Sequence, residues 1–350
     1  MSNSWITCRP NQKKGRLSQE TAGMTTEAPR ILPIAESPRP FWSVMIPAYN
    51  PRLDYLEQAL RSVLMQDPGP EQMQIKVVDD CSPKVGVEAM VKCIAGERVA
   101  FTKTPKNLGL AGCWNTCIER SRGQWVHILH QDDWVLPEFY SSFKKLIQGS
   151  PEITAAFSRH LYADMDGHWN SLSLLENRTN GVLKDFDELI AISQRIECAA
   201  VIVKRSTYEL LGGYRPDIPF VLDWEMWCRI AARGCWGYVP QLGAVHRLHP
   251  ESQTTHLSHT GEAVRDFLEG GQIARSHFPS ELQVRTAHAF LNKFADIVLQ
   301  NSSFAYAHGR LTDAARLLDS FRRIVMKSDY RMDWLWLRFR VIIKSLRLLL

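Results

Sequence analysis

No uncharged apolar run in this 350-residue chain reaches the roughly 18 residues that a bilayer-spanning helix needs, so no spanning segment is expected. The first 25 residues hold no apolar core segment, which argues against a secretory signal. None of the eight cysteines (Cys8, Cys81, Cys93, Cys113, Cys117, Cys198, Cys228 and Cys235) stands in a Cys-x-x-Cys pair or at zinc spacing from a histidine. They are expected as reduced, mostly buried thiols of a cytoplasmic protein. A basic excess is also missing from the body of the chain. Of the net charge of +5, residues 1–40 carry +3 (six Lys/Arg against three Asp/Glu) and residues 321–350 carry +6 (eight against two), which leaves −4 for 41–320. A mildly acidic body argues against a nucleic-acid partner. The basic tail points instead to an anionic surface.

What the chain does contain is ordinary globular material, 45% hydrophobic and 23% charged. Residues 1–40 are polar, rich in Pro, Ser and Thr, and without periodicity, so a disordered leader is expected there. From Trp42 to about Leu248 short apolar runs alternate with helical patterns. "WSVMI" (42–46), "QIKVV" (74–78), "RVAFT" (98–102) and "QWVHIL" (124–129) have the character of strands; 53–66, 85–95 and 110–121 have the period of helices. Alternation of this kind predicts an α/β fold with a mainly parallel sheet covered on both faces. From about residue 260 onward the pattern is helical throughout.

Open parallel sheets bind ligands beyond the carboxyl ends of their strands. Four polar or turn-forming segments fall there: "PAYN" (47–50), "DDCSP" (79–83), "NLGLAGCWN" (107–115) and "HQDDW" (130–134). One such loop is weak evidence, but four in register along one edge form a constellation.

In order and spacing, "VMIPAYN", "VVDDCS", "NLGLAGCWN", "LHQDDW" and "GGYRPDIPFVLDWEMWCRI" resemble the inverting nucleotide-sugar glycosyltransferases of family two. The resemblance covers about 42–255. It implies a GT-A fold: a Rossmann-like, mainly parallel sheet flanked by helices, here with a helical C-terminal extension. The expected organisation is a leader over 1–40, the glycosyltransferase domain over 41–255, a helical extension over 256–330 and an amphipathic basic helix over 331–350.

The resemblance also implies roles. Pro47, Ala48 and Tyr49 would lie along the base and ribose, where a Tyr ring can stack on a nucleobase. Asp80 would accept a hydrogen bond from the imide of uracil or thymine, favouring a UDP- or dTDP-sugar, while Asp79 is expected to be structural. Asn107 and Gly109 open a helix whose N-terminus suits an anion, and Asn115 either joins them or ties the sheet together. The leaving diphosphate calls for Mn2+ or Mg2+, both of which prefer carboxylate oxygen. In register with the family's Asp-x-Asp, Asp132 is the metal ligand, Asp133 the next candidate, and His130 stands where many relatives have Asp. A helix cap around 137–146 is the competing use of the aspartate pair. Asp223, in the first turn of an amphipathic helix that Gly234 ends, is the expected base for the acceptor hydroxyl, with Glu225 as competitor. Trp224 and Trp227 suit either a sugar pocket or the core. In "VHRLHPESQT" (245–254), Arg247 is suited to the diphosphate and His249 to the metal, and His246 is expected to be structural.

The Gln-x-x-Arg-Trp pattern of processive relatives is absent, which implies addition of one sugar per encounter. The tail "WLWLRFRVIIKSLRLLL" (334–350) places Arg340, Lys344 and Arg347 at helical spacing among apolar residues, the pattern of a helix lying on an anionic membrane. Packing on the protein, or in a dimer, is its other use. A saccharide or lipid-linked acceptor, met by a cytoplasmic enzyme peripheral to the inner face of the membrane, is the resulting expectation. Two alternatives remain: a nucleotidyltransferase, although "PAYNPRLD" lacks the Gly-rich basic loop of that class, and a non-catalytic nucleotide-sugar-binding protein.

Overall fold

The structure, a computed structural model, describes residues 27–35, 38–83, 86–249 and 262–347. Its described residues form two compact units: those up to Phe186 with Arg195–Leu248, and Asp187–Gln194 with those from His249 onward.

The first unit alternates β1 (Trp42–Ala48), α1 (Leu53–Leu64), β2 (Met73–Asp79), α2 (Val87–Ala95), β3 (Ala100–Lys103), α3 (Gly109–Arg120) and β4 (Trp125–Ile128). It continues with β5 (Trp134–Val135), α4 (Phe139–Gly149), β6 (Ile153–Ala163), β7 (Trp169–Leu172) and β8 (Gly181–Val182). After α5 (Phe186–Ile192), which crosses the boundary between units, come a 3-10 turn at Cys198–Ala200, β9 (Val201–Lys204), α6 (Arg205–Leu211), α7 (Leu222–Ala231) and β10 (Cys235–Arg247). All seven residues of β1 are buried, as an unbroken apolar run at the centre of a two-sided sheet should be. On α1 the buried Tyr55, Leu56, Ala59, Leu60 and Val63 recur at three- and four-residue steps and give the helix its core face.

The sheet order is β3-β2-β1-β4-β9-β6-β10-β5. β3, β2, β1 and β4 are parallel neighbours. Because β9 runs against both β4 and β6, and β6 is parallel to β10, six of the ten strands share one direction. The sheet is therefore mainly parallel, with short reversed strands at β5, β7, β8 and β9. The four strands and three helices expected from 42–121 and 124–129 are all present; the long β6 and β10 build the other half of the sheet. The chain leaves β1 on one side for β2 and β3, then returns on its other side as β4. This places the topological switch point between the ends of β1 and β4.

The second unit holds α8 (Glu262–Ser276), α9 (Ser280–Ala307), α10 (Leu311–Ser320), α11 (Arg322–Val325) and α12 (Arg331–Arg347). Its core includes Phe267 stacked on Phe290 at 6.0 Å and on Phe294 at 6.2 Å, closed by Ala314, Leu318, Trp334 and Val341. Among the described residues no helix is long and apolar enough to cross a membrane.

The stretch read as a disordered leader needs correction at its end. Ile31 is buried, Gly213 N–H donates to Pro29 O at 2.7 Å, and Arg205 Nη1 reaches Leu32 O at 3.3 Å, so this piece packs beside α6. Residues 1–26, and 250–254 of the expected closing segment, lie outside the described residues.

Candidate active site

At the switch point, the loops after β1 and β4 are locked together. Tyr49 N–H donates to Gln131 Oε1 at 2.8 Å, and Gln131 Nε2 donates back to Tyr49 O at 3.3 Å. This two-point amide clamp fixes the backbone while Tyr49 keeps 45% of its surface, as a stacking ring must. Pro47 and Ala48 are buried in the strand end beneath it. Gln131 was not foreseen as functional; its place between His130 and Asp132, opposite the β1 loop, was the available signal.

The β2 loop supplies Asp79 and Asp80, both buried and differently used. Asp79 accepts from the Ser82 hydroxyl and lies 3.7 Å from Lys103 Nζ, a structural knot. Asp80 N–H donates to Ala48 O at 2.7 Å, tying β2 to β1. Its Oδ1 accepts from Leu108 N–H at 2.8 Å and lies 3.1 Å from the Thr104 hydroxyl. No described residue takes Oδ2 in a hydrogen bond, which leaves that oxygen to receive a donor from a ligand. Asn107 Oδ1 accepts from Gly109 N–H at 2.9 Å, turning the chain into α3. Gly109 has φ +72°, and a Cβ there would meet open space, so it is the backbone conformation that calls for glycine. Asn115 ties the fold together: its side chain accepts from Tyr214 N–H at 2.7 Å and donates to Tyr214 O at 2.9 Å. A Cβ on Gly213 would lie 2.3 Å from Asn115 Oδ1, which explains the glycine.

Donor atoms of His130, Asp132 and Asp133 all lie within 4.8 Å of one another. α4 starts only at Phe139, its N-cap is Glu138 and no side chain caps it, so the aspartate pair is not a helix cap. Asp133 turns inward. Only 1% exposed, it accepts from Arg247 N–H at 2.9 Å and lies 3.2 Å from His246 Nδ1 and 3.5 Å from His130 Nδ1. Burial opposes its charge, but the His246 and His130 imidazoles hold its carboxyl well below the usual range. The same contact lifts His246: burial opposes it, yet Asp133 and then Glu197 push it up to about 10. Arg247 is 3% exposed and sandwiched between the rings of Tyr55 at 4.0 Å and Trp134 at 4.6 Å. Its guanidinium donates to Asp132 O at 3.0 Å, to Met165 O at 3.1 Å and to Gln58 Oε1 at 2.5 Å. Asp133, the second metal candidate, and Arg247, expected at the diphosphate, are both buried, and both brace the backbone that carries Asp132.

His130 is half-buried and stacked on Trp114 at 4.8 Å. Its Nδ1 faces Asp133, and its buried Nε2 has no hydrogen-bond partner. Burial opposes its charge too, but Asp133 raises its pKa above the ordinary imidazole value. His249, the expected metal ligand, is the first residue of the second unit after Leu248.

Asp223 sits in the first turn of α7, half-buried, with Oδ1 accepting Trp224 N–H at 2.7 Å. Burial first, and the Glu197 charge second, push its pKa up to about 7. Glu197 accepts from the Tyr162 hydroxyl at 3.0 Å, and the Tyr162 ring meets His246 edge-on at 5.8 Å. Tyr162 and His246 are register partners of β6 and β10. Glu197 thus acts on both ends of the site, and no local pattern in "QRIECAA" announced it. The competitor Glu225 is buried and paired with Arg229 Nη2 at 2.7 Å, a structural ion pair one helical turn along α7. Trp224 and Trp227 are also buried, and Trp227 packs edge-on against Trp236 at 5.8 Å; both belong to the core.

A family model, Glycosyl transferase family 2, matches residues 43–211. TuaG of Bacillus subtilis strain 168, a glycosyltransferase named for teichuronic acid biosynthesis, is 34% identical over 204 residues, which span 57% of this chain and 75% of TuaG. The succinoglycan biosynthesis protein ExoO of Rhizobium meliloti is 34% identical over 94 residues, 27% of this chain and 26% of ExoO. Among solved structures, S. aureus TarS 1–349 in complex with UDP matches with a TM-score of 0.50 at 15% identity, covering 81% of this chain and 91% of that one; it shares the GT-A fold. With three-quarters of TuaG covered at this identity and the strand-end loops in place, the chain belongs to glycosyltransferase family 2.

Proposed function

We propose that this glycosyltransferase moves a single hexosyl unit, with inversion, from a UDP- or dTDP-sugar to a hydroxyl of a saccharide or lipid-linked acceptor in surface polysaccharide or glycolipid synthesis. Tyr49 would stack on the base, and Asp80 Oδ2 would accept from its imide. TarS, of the same fold, has been crystallised with UDP. TuaG and ExoO, named for polysaccharide synthesis, support the acceptor class.

The donor set near β4 fits a divalent cation. Asp132 brings carboxylate oxygen, and His130 brings a nitrogen that already lacks a protein partner. Asp133 opposite Nδ1 orients the ring, as carboxylates behind metal-binding histidines do. One imidazole beside one carboxylate suits Mn2+ better than Mg2+, which favours all-oxygen surroundings. When bound, the cation would neutralise charge developing on the leaving diphosphate.

Asp223 would take the acceptor proton as the hydroxyl oxygen attacks the anomeric carbon. The observation that carries this reading is the placement of Asp223, half-buried in the first turn of α7, while the neighbouring Glu225 is buried and locked in an ion pair; a pKa raised to about 7 by burial and by Glu197 agrees with it. A base poised at working pH removes a proton without ceasing to be available. The test is calorimetric binding of UDP, dTDP, GDP and ADP, with Mn2+ and with chelator, to wild type and Asp132→Asn, paired with product analysis. Metal-dependent binding of a pyrimidine diphosphate, lost in the variant, is expected. Equal binding in chelator would remove Asp132 from its role, and a product lacking a new glycosidic bond would overturn the reading.

A further inference from the structure

α12 has two faces with opposite fates. Trp334, Leu337 and Val341 are at most 4% exposed. Trp334 Nε1 donates to Leu318 O at 2.9 Å, and Arg338 grips Asp319 through two bonds of 3.0 and 2.9 Å. This face docks the helix in its own unit. On the other face Met332, Leu335, Trp336, Phe339 and Ile342 recur at three- and four-residue steps, each between 42% and 66% exposed. Five large apolar side chains in one open stripe are more than a soluble surface ordinarily carries.

The edges of the stripe are basic. Arg331 and Arg338, seven residues apart, share one flank, where Arg338 is already paired with Asp319 and Arg331 is the cation left to a ligand. Arg340 and Lys344, four apart, share the other with the single acid of the helix, Asp333. Arg340 lies over the Trp336 ring at 4.5 Å and the Tyr306 ring at 4.9 Å, and Lys344 lies 4.6 Å from Tyr306, so these cations are held beside the stripe. Residues 331–347 carry five Lys/Arg against one Asp.

We propose that the outer face of α12 docks on an anionic phospholipid surface, with Trp336 and Phe339 entering the headgroup–acyl boundary and the flanking cations meeting lipid phosphates. The helix would lie flat while its inner face stays packed, consistent with the lack of a spanning helix among the described residues. Charge favours lipid over a second copy of the chain. A twofold interface through the stripe would bring basic flanks against basic flanks, whereas anionic headgroups complement both.

The experiment is co-sedimentation of the full chain with vesicles of phosphatidylcholine alone and with roughly a third phosphatidylglycerol, at about 0.1 M salt, where screening reaches about 10 Å. Binding to the anionic vesicles is expected, and Trp336→Glu with Phe339→Glu should weaken it at least tenfold. The variant's unfolding midpoint and helical signal should match wild type, because neither side chain is in the core. Protein that stays in solution with both vesicle types overturns the proposal. So does unchanged vesicle binding by the double variant, or a wild-type dimer that the variant turns to monomer while vesicle binding persists. No sugar donor enters the assay, so its outcome is separate from that of the transferase reading.

Discussion

Asp133 and Asp223 stand in the same unit, yet their surroundings drive them in opposite directions. Asp133 has a backbone N–H and two imidazoles around it and is held ionised. Asp223 accepts from Trp224 N–H, and burial together with the nearby Glu197 carboxylate raises its pKa to about 7. Burial penalises both charges; the partners decide the sign. Asp133 is a fixed anion that organises its neighbours, whereas Asp223 has its pKa raised toward neutrality, as the proposed role of base requires. Two acids with pKa values pushed apart are the general mark of divided roles in a catalytic site.

The largest expected effect separates the two roles. Asp223→Asn should lower kcat/KM by 10³-fold or more, roughly the loss of a general base, with nucleotide binding unchanged. The same variant should be more stable than wild type at pH 8. The folded pKa of Asp223 lies above the unfolded value of 3.8, so its stabilising contribution is full below about pH 4 and is lost as pH rises through about 7. Asn avoids that loss, worth up to about 4 kcal/mol and less after discounting for solvent contact. Urea unfolding at pH 5 and pH 8 checks the sign. Asp133→Asn should do the reverse, destabilising the fold by about 3–5 kcal/mol by leaving His246 without its counter-ion. The folded pKa of Asp133 is lowered, so its contribution is present above the ordinary carboxylate range and fades in acid. His246 contributes below about 6.5 and loses that contribution as pH climbs through about 10.

A smaller effect tests the brace. Arg247→Lys keeps a charge but gives up the planar fork and the stacking between Tyr55 and Trp134. It should weaken metal-dependent nucleotide binding about tenfold, or ~1.4 kcal/mol, with little change in how the bound complex turns over. Glu197→Gln probes the electrostatic link between the two ends. It removes a negative charge beside Asp223, so the acidic limb of the kcat/KM profile should move to lower pH from about 7. A limb that stays in place would show that Glu197 does not govern the base.

The sequence announced one kind of residue well and the other hardly at all. Asp80, Asp132 and Asp223 stand in short segments at the ends of strands or the start of a helix, where local pattern and the strand-end rule coincide. The network behind them is made by pairing. Tyr162 and His246 meet because β6 and β10 are in register, across 84 positions of chain. Arg247 and Asp132 meet because β5 joins β10 through Ala244 and Val245. No periodicity within either segment encodes that contact. The exposed stripe of α12 was legible as an amphipathic pattern, but which of its faces packs inward depends on Leu318 and Asp319, in another helix.

The smallest expected effect lies at His130, the departure from the family's aspartate. Its Nδ1 lies 3.5 Å from Asp133, its Nε2 lacks a hydrogen-bond partner, and a ring nitrogen lies within 4.8 Å of the Asp132 and Asp133 carboxylates. Imidazole favours Mn2+ over Mg2+, because Mg2+ takes oxygen ligands and surrenders water reluctantly. His130→Asp should therefore raise Mg2+ affinity relative to Mn2+ by a few-fold. Calorimetry with each ion, with and without nucleotide, gives the ratio independently of turnover. The substitution also sets a third carboxylate next to Asp132 and Asp133, which repel it unless a cation is present. Stability in chelator should fall while stability in Mg2+ holds. An unchanged Mn2+ to Mg2+ ratio would place His130 outside the donor set and leave its stacking on Trp114 as its role.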